Sequence, residues 1–140
     1  MMFDYLNFDE NGVKVVSRIN GVNADMMMDI TVYRLKKGQS VQVCEESRET
    51  AILLTEGNVT YSFEDKRENA KRKNVFEEAP YCLHICKGKK ATVTAEEDSE
   101  VLVQMTENDR EFETVFYTPK ECKIEVMTSP HTILEYGALK

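Results

Sequence analysis

Three side chains that can bind metals or act as nucleophiles alternate along one short segment of the chain. Cys82, His84 and Cys86 are separated by single residues, and Tyr81 and Ile85 among them favour a β-strand. Alternate residues of a strand point to the same face, so we expect the three side chains to share one face. Thiolates and imidazoles are zinc ligands, and two neighbours in this pattern could chelate the ion.

The same three residues allow two other interpretations. On a regular strand Cys82 and Cys86 would lie roughly 13 Å apart, so all three ligands reach one metal only across a bulge. A zinc site would take its fourth ligand from Cys44, Cys122 or a carboxylate. The first alternative is two small buried thiols and a hydrogen-bonded histidine with no cofactor. The second is a redox or nucleophilic cysteine, although the chain has no Cys-x-x-Cys motif. We expect no cofactor, with zinc as the alternative.

The elements that would position these residues are short strands. Alternating and β-branched runs separated by turn signals predict strands at 13–19, 30–35, 40–44, 51–55, 59–63, 81–86, 91–95, 100–105, 112–117 and 122–127. Gly57 predicts a hairpin between 51–55 and 59–63. The basic segment 66–73 is predicted to be a solvated loop, and Glu49 is expected in a charged surface turn. About ten short strands at this spacing predict an all-β sandwich or barrel.

Length and charge limit the classes of protein. The 140 residues predict one domain over 1–140, with a lead-in at 1–12 and a C-terminal tail at 128–140. A net charge of −7 disfavours nucleic acid as a partner. No apolar run approaches the ~20 residues that span a bilayer, so we expect no membrane association. The N-terminus lacks the basic region of a signal peptide, which predicts a cytoplasmic protein with reduced thiols.

An ordered set of segments resembles the N-terminal half of the KduI/IolB family of bicupins. The family includes the 5-deoxy-glucuronate isomerases of inositol catabolism and the 5-keto-4-deoxyuronate isomerases of pectin breakdown. The matching segments are 32–38, 49–57, 72–76, 80–88, 92–95, 100–103 and 118–122. The resemblance implies a single cupin-like double-stranded β-helix, a jelly-roll barrel. It aligns Arg72 with a loop arginine of the family. The residues themselves predict that Val75 and Phe76, an apolar pair in a polar segment, anchor that loop.

The resemblance also implies where the family's chemistry lies. It places metal and catalysis on a His-x-His…Glu…His set in the C-terminal cupin, for aldose–ketose isomerisation. The present chain contains two histidines, His84 and His131, and has no His-x-His. The resemblance implies that the chain ends where the second cupin would begin. An aromatic residue is commoner in the family at the position of His84. The expectation is therefore a structural half without the catalytic half.

Three functions follow as hypotheses. The first is a non-catalytic cupin-like module for assembly as a homodimer, or for binding a small sugar-acid-like ligand. The second is an isomerase whose metal ligands come from a partner cupin chain. The third is a small metal-binding cupin that uses Cys82, His84 and Cys86. The candidate ligand-binding residues are Arg72 and His84. Arg72 could bind a sugar-acid carboxylate with two hydrogen bonds, or pair with a carboxylate of the chain itself.

Overall fold

The computed structural model describes the backbone of residues 7–128 and 133–139, and side chains as far as residue 121. The all-β prediction is confirmed, since the elements in this described part of the chain are strands and two single turns of 3-10 helix, at Ala24–Met26 and Pro119–Glu121. The strands are β1 (Val13–Ser17), β2 (Asp29–Leu35), β3 (Ser40–Cys44), β4 (Arg48–Phe63), β5 (Lys66–Arg72), β6 (Cys82–Ile85), β7 (Lys90–Ala95), β8 (Ser99–Glu107), β9 (Val115–Tyr117), β10 (Cys122–Thr128) and β11 (Ile133–Leu139). No helix in these ranges is long and apolar enough to cross a membrane.

Two antiparallel sheets share the long strand β4. The first half of β4 lies in a sheet of order β1-β2-β8-β4-β6-β9, and its second half pairs with β5 and β7, with β3 beyond β7. Strands β10 and β11 form a separate two-stranded sheet. The predicted C-terminal tail therefore contains a strand, while His131 lies outside the described residues.

The core lies between the two halves of β4. Along this strand buried and partly exposed residues alternate, which places Ile52 and Leu54 against the core in one sheet and Val59, Tyr61 and Phe63 in the other. Neighbouring strands add apolar residues to the same cluster, among them Leu83, Ile85, Val93, Val101 and Val103. Burial of this continuous apolar cluster is the main force that holds the sheets together.

The predicted hairpin at Gly57 is wrong, because 48–63 forms one continuous strand. The pairing of β4 with β8 shifts register between Leu54 and Glu56, which marks a bulge. Gly57 follows with φ +116°, and a Cβ atom there would lie 2.2 Å from Ser99 Oγ. Only glycine fits here, because β4 passes very close to β8. The glycine that suggested a turn in the sequence is therefore needed for this close approach.

The basic segment is also a strand and not a loop. Residues 66–72 form β5, which pairs with the second half of β4 through a turn at Glu64 and Asp65. Among the described strands β5 pairs only with β4, so it is an edge. Lysine and arginine on an edge strand oppose unwanted pairing with other chains, which explains why this strand lacks an apolar pattern.

Candidate functional site

The space between the sheets, where a barrel would hold a ligand, is filled with side chains. Ile52, Leu54, Val59 and Tyr61 are completely buried there. The Tyr61 hydroxyl donates a hydrogen bond to the Ile52 carbonyl at 3.2 Å, and its ring meets the edge of Phe116 with 5.1 Å between centroids. Burial, with a smaller effect of Cys82, raises the pKa of Tyr61 above its ordinary value, so the phenol stays protonated. This interior is a packed core.

His84 lies outside that core, on the opposite face of the first sheet. Its neighbours Leu83 and Ile85 point inward and are buried, so alternation along β6 directs His84 away from the core. His84 Nε2 lies 3.1 Å from Oε2 of Glu49, and the two side chains are 33% and 24% exposed. Since a carboxylate only accepts, Nε2 carries the hydrogen of this contact. The expectation that Glu49 lies in a surface turn is wrong, because it belongs to β4.

Two further side chains hold the His84–Glu49 pair in place. The ring of Phe112 packs on the imidazole with 4.5 Å between centroids. The amide of Asn108 donates to the same Glu49 oxygen at 3.3 Å. A groove of 250 Å³ opens beside the pair and is lined by polar Gln104 and Thr106 as well as by Met28, Ala51 and Met105. The pair can exchange a proton or bind hydroxyl groups of a small ligand in this groove.

The two cysteines of the segment differ in position from the prediction. Cys82 begins β6, whereas Cys86 follows the end of the strand, so the three residues do not lie along one regular strand. Both cysteine side chains are buried, at 4% and 3% exposure. Cys44 is free and exposed. No group of three or more His, Cys, Asp or Glu side chains is arranged to hold a metal ion within the part of the chain that the structure describes. The zinc site on Cys82, His84 and Cys86 stays a prediction.

Arg72 is buried and binds backbone carbonyls. Its Nη1 donates to the Leu54 carbonyl at 2.8 Å, and its Nε donates to the Glu78 carbonyl at 3.0 Å. Its Nη2 lies 3.5 Å from the Val75 carbonyl. The guanidinium therefore fastens the loop that follows β5 to strand β4. A role for Arg72 in binding a sugar acid is untested, but these contacts already account for its burial.

The predicted Val75–Phe76 anchor is wrong. Val75 is 47% exposed and Phe76 is 94% exposed, so neither side chain holds the loop. The anchor is Arg72, which the resemblance alone made a ligand-binding candidate. An apolar pair in a polar loop is the sequence signal for an anchor and for an exposed recognition element alike, and only the structure separates the two.

The metal set of the family does not fit the interior of this domain. The residues that face inward from β4 are apolar, apart from Thr50 and from the hydroxyl of Tyr61, which already binds the Ile52 carbonyl. Zinc and other divalent metals need imidazole, thiolate or carboxylate ligands, and these inward-facing positions supply none. No reaction step through an interior metal can be derived from them.

Comparison with known proteins agrees with this architecture. An IolB-like protein from Salmonella typhimurium LT2 superimposes with a TM-score of 0.75 at 22% identity, covering 89% of this chain and 48% of that one. YlbA from E. coli gives a TM-score of 0.62 at 13% identity, with 84% and 50% covered. A cupin superfamily protein from Desulfitobacterium hafniense gives 0.51 at 17% identity, with 74% and 84% covered.

These structural likenesses confirm the cupin jelly-roll fold, and the chain spans about half the length of the IolB-like protein. A search of curated proteins finds no match. The family model described as "KduI/IolB family" matches residues 4–131, which is most of the chain. The chain therefore belongs to the KduI/IolB family.

Proposed function

We propose that this chain is a non-catalytic cupin module that works by self-association as a homodimer. The observation that carries the proposal is the filled interior, where Ile52, Leu54, Val59 and Tyr61 occupy the space that a ligand or metal would need. With that space closed, the surface of the module is what remains for recognition. Exposed apolar residues at the loop tip of 75–76 support a role in protein contact.

Two measurements test this function. Sedimentation equilibrium should show a dimer at micromolar concentrations, and a monomer at every concentration would refute self-association. Incubation with 5-deoxy-glucuronate or 5-keto-4-deoxyuronate and added divalent metal should leave both sugars unchanged. Conversion by the chain alone would establish an isomerase, and conversion only in the presence of a second cupin chain would establish the split-enzyme alternative.

A second candidate function, binding of a small sugar-acid-like ligand, is supported by the groove at His84. His84 is the one lining residue that can become cationic, and Gln104, Thr106 and Glu49 offer hydrogen bonds to hydroxyl groups. D-glucuronate at high concentration should raise the melting temperature of the wild type and not of His84→Ala if this site is real. Equal shifts in both proteins would exclude it.

A further inference from the structure

A small side chain stands between longer polar ones on the outer face of the first sheet. Ala51 on β4 pairs with His84 on β6 and with Gln104 on β8. Directly paired residues project to the same face of a sheet, so the three side chains form one row across the strands. Because His84 faces away from the core, the row lies on the outer face. The methyl group of Ala51 leaves a gap between its two longer neighbours.

The neighbouring row of the same face has no such gap. Leu53 lies two residues along β4 from Ala51, so it points to the same side of the sheet. It pairs with Cys82 on β6 and with Leu102 on β8. A leucine on the central strand fills that row. The small residue at position 51 is therefore what makes the surface concave at the His84 groove, which Ala51 lines.

Hydrogen-bonding groups flank the gap on both sides. On one side His84 and Glu49 form the pair described above, which two further side chains hold in place. On the other side stands the exposed amide of Gln104. Neighbouring strands lie ~4.8 Å apart, so roughly 10 Å separates the backbones of His84 and Gln104, with Ala51 midway. A ligand that lies over Ala51 can therefore meet hydrogen-bonding groups at both of its ends.

The size and chemistry of the groove define a class of ligand. Its volume of 250 Å³ is below the roughly 300–1,000 Å³ of pockets that take drug-sized ligands, which favours a ligand of about one sugar ring. Imidazole, carboxylate and amide groups together donate and accept hydrogen bonds, as hydroxyl groups also do. The side chains of Ala51 and Met28 offer apolar contact to the carbon atoms of such a ligand.

We infer that Ala51 determines which ligand this groove accepts, namely a single small hydroxylated molecule that lies across β4. One end of the ligand binds the His84–Glu49 pair, and the other end binds the amide of Gln104. The inference rests on the second candidate function, binding of a sugar-acid-like ligand, for which it names the residue that sets the size of the site. It does not depend on self-association.

The first test fills the gap. Ala51→Leu should abolish the rise in melting temperature that D-glucuronate gives the wild type, because the longer side chain occupies the place of the ligand. Ala24→Leu is the matched control, since Ala24 is exposed, does not line the groove and undergoes the same substitution. The control should keep the wild-type shift. An equal shift in Ala51→Leu and the wild type would overturn the inference, while loss of the shift in His84→Ala would still support binding at the groove.

The second test does not depend on how well Ala51→Leu folds. Gln104→Ala shortens an exposed side chain and should weaken the binding of D-glucuronate about 5-fold, the typical value of one hydrogen bond. Gln42→Ala, the same change at an exposed residue of β3 outside the groove, should bind as the wild type does. The dependence of the melting temperature on ligand concentration measures binding in each variant.

Unchanged binding by Gln104→Ala would overturn the arrangement across β4. A wild type whose melting temperature D-glucuronate leaves unchanged would refute the binding function together with the inference. Sedimentation equilibrium tests self-association separately, so the two proposals fail by different measurements.

Discussion

The interior around Tyr61 and the loop tip at Phe76 use aromatic residues in opposite ways. Tyr61 is completely buried, its hydroxyl is hydrogen-bonded, and apolar side chains surround it. Phe76 is almost fully exposed, and the hydrogen bonds of its loop hold the backbone beneath it. The comparison teaches that this cupin domain uses its interior for stability, while the recognition that we propose involves its surface. Substitutions in the two regions should therefore affect different measurements.

The largest loss of stability is expected from a cavity in the interior. Ile52→Ala removes a completely buried side chain and should reduce the free energy of unfolding by about 2–5 kcal/mol. Leu53→Ala is the matched control, because Leu53 lies next along β4 on the opposite, partly exposed face. Denaturant unfolding of both variants checks this prediction. Equal losses would show that the interior is not the stabilising region.

Arg72 joins the loop tip to strand β4, and Arg72→Met should have the next largest effect on the free energy of unfolding. The variant loses the donors to the Leu54 and Glu78 carbonyls, and we expect a loss of about 2–3 kcal/mol in the free energy of unfolding. The loop should also open, so amide hydrogens of 75–78 should exchange faster. Lys71→Met, an exposed neighbour on β5, should change stability by less than about 0.5 kcal/mol. Unchanged exchange rates in Arg72→Met would contradict the anchoring role.

Tyr61→Phe should have a smaller effect at neutral pH, about 1 kcal/mol, through the lost hydrogen bond to Ile52. The difference in the free energy of unfolding between the two proteins should become smaller in alkaline solution. Because the pKa of Tyr61 is raised in the folded state, the native protein keeps the phenol proton that the unfolded chain releases. The stability contribution is complete below about pH 10 and is lost above it, by up to about 1.4 kcal/mol per pH unit. The gap between wild type and Tyr61→Phe should therefore narrow above pH 10, and parallel pH curves would refute this.

Phe76→Ser should have the smallest effect on the fold. In dilute monomer its free energy of unfolding should stay within about 0.5 kcal/mol of the wild type, because the side chain is 94% exposed. The same variant should lose self-association, which interior variants that remain folded should retain. A loss of stability above about 1.5 kcal/mol in the monomer would show that Phe76 packs within its own domain.

The fold was largely predictable because apolar and polar residues alternate in the sequence wherever one face of a strand is buried. The predicted strand 40–44 matches β3, and 91–95 and 100–105 fall within β7 and β8. Strand β5 was not predictable from periodicity, since an edge rich in lysine and arginine carries no apolar pattern. The Gly57 signal predicted a hairpin because a glycine needed for a close strand crossing looks the same in sequence as one needed for a turn.

The candidate site was less predictable, because its contacts join distant parts of the chain. His84 was identified from its residue type, but its partner Glu49 lies 35 positions away and becomes adjacent only through the pairing of β4 with β6. Arg72 was identified as a loop residue of the family, yet its carbonyl partner on β4, Leu54, is set by three-dimensional packing. The exposure of Phe76 depends on the backbone hydrogen bonds of its loop, and apolar composition alone favoured burial.

Sedimentation equilibrium of the wild type and Phe76→Ser, side by side across a wide concentration range, tests the central claim most directly. The account predicts a wild-type species of twice the chain mass of 16.1 kDa and a Phe76→Ser protein that remains folded at the single chain mass. A wild type that sediments at 16.1 kDa at all concentrations would contradict it.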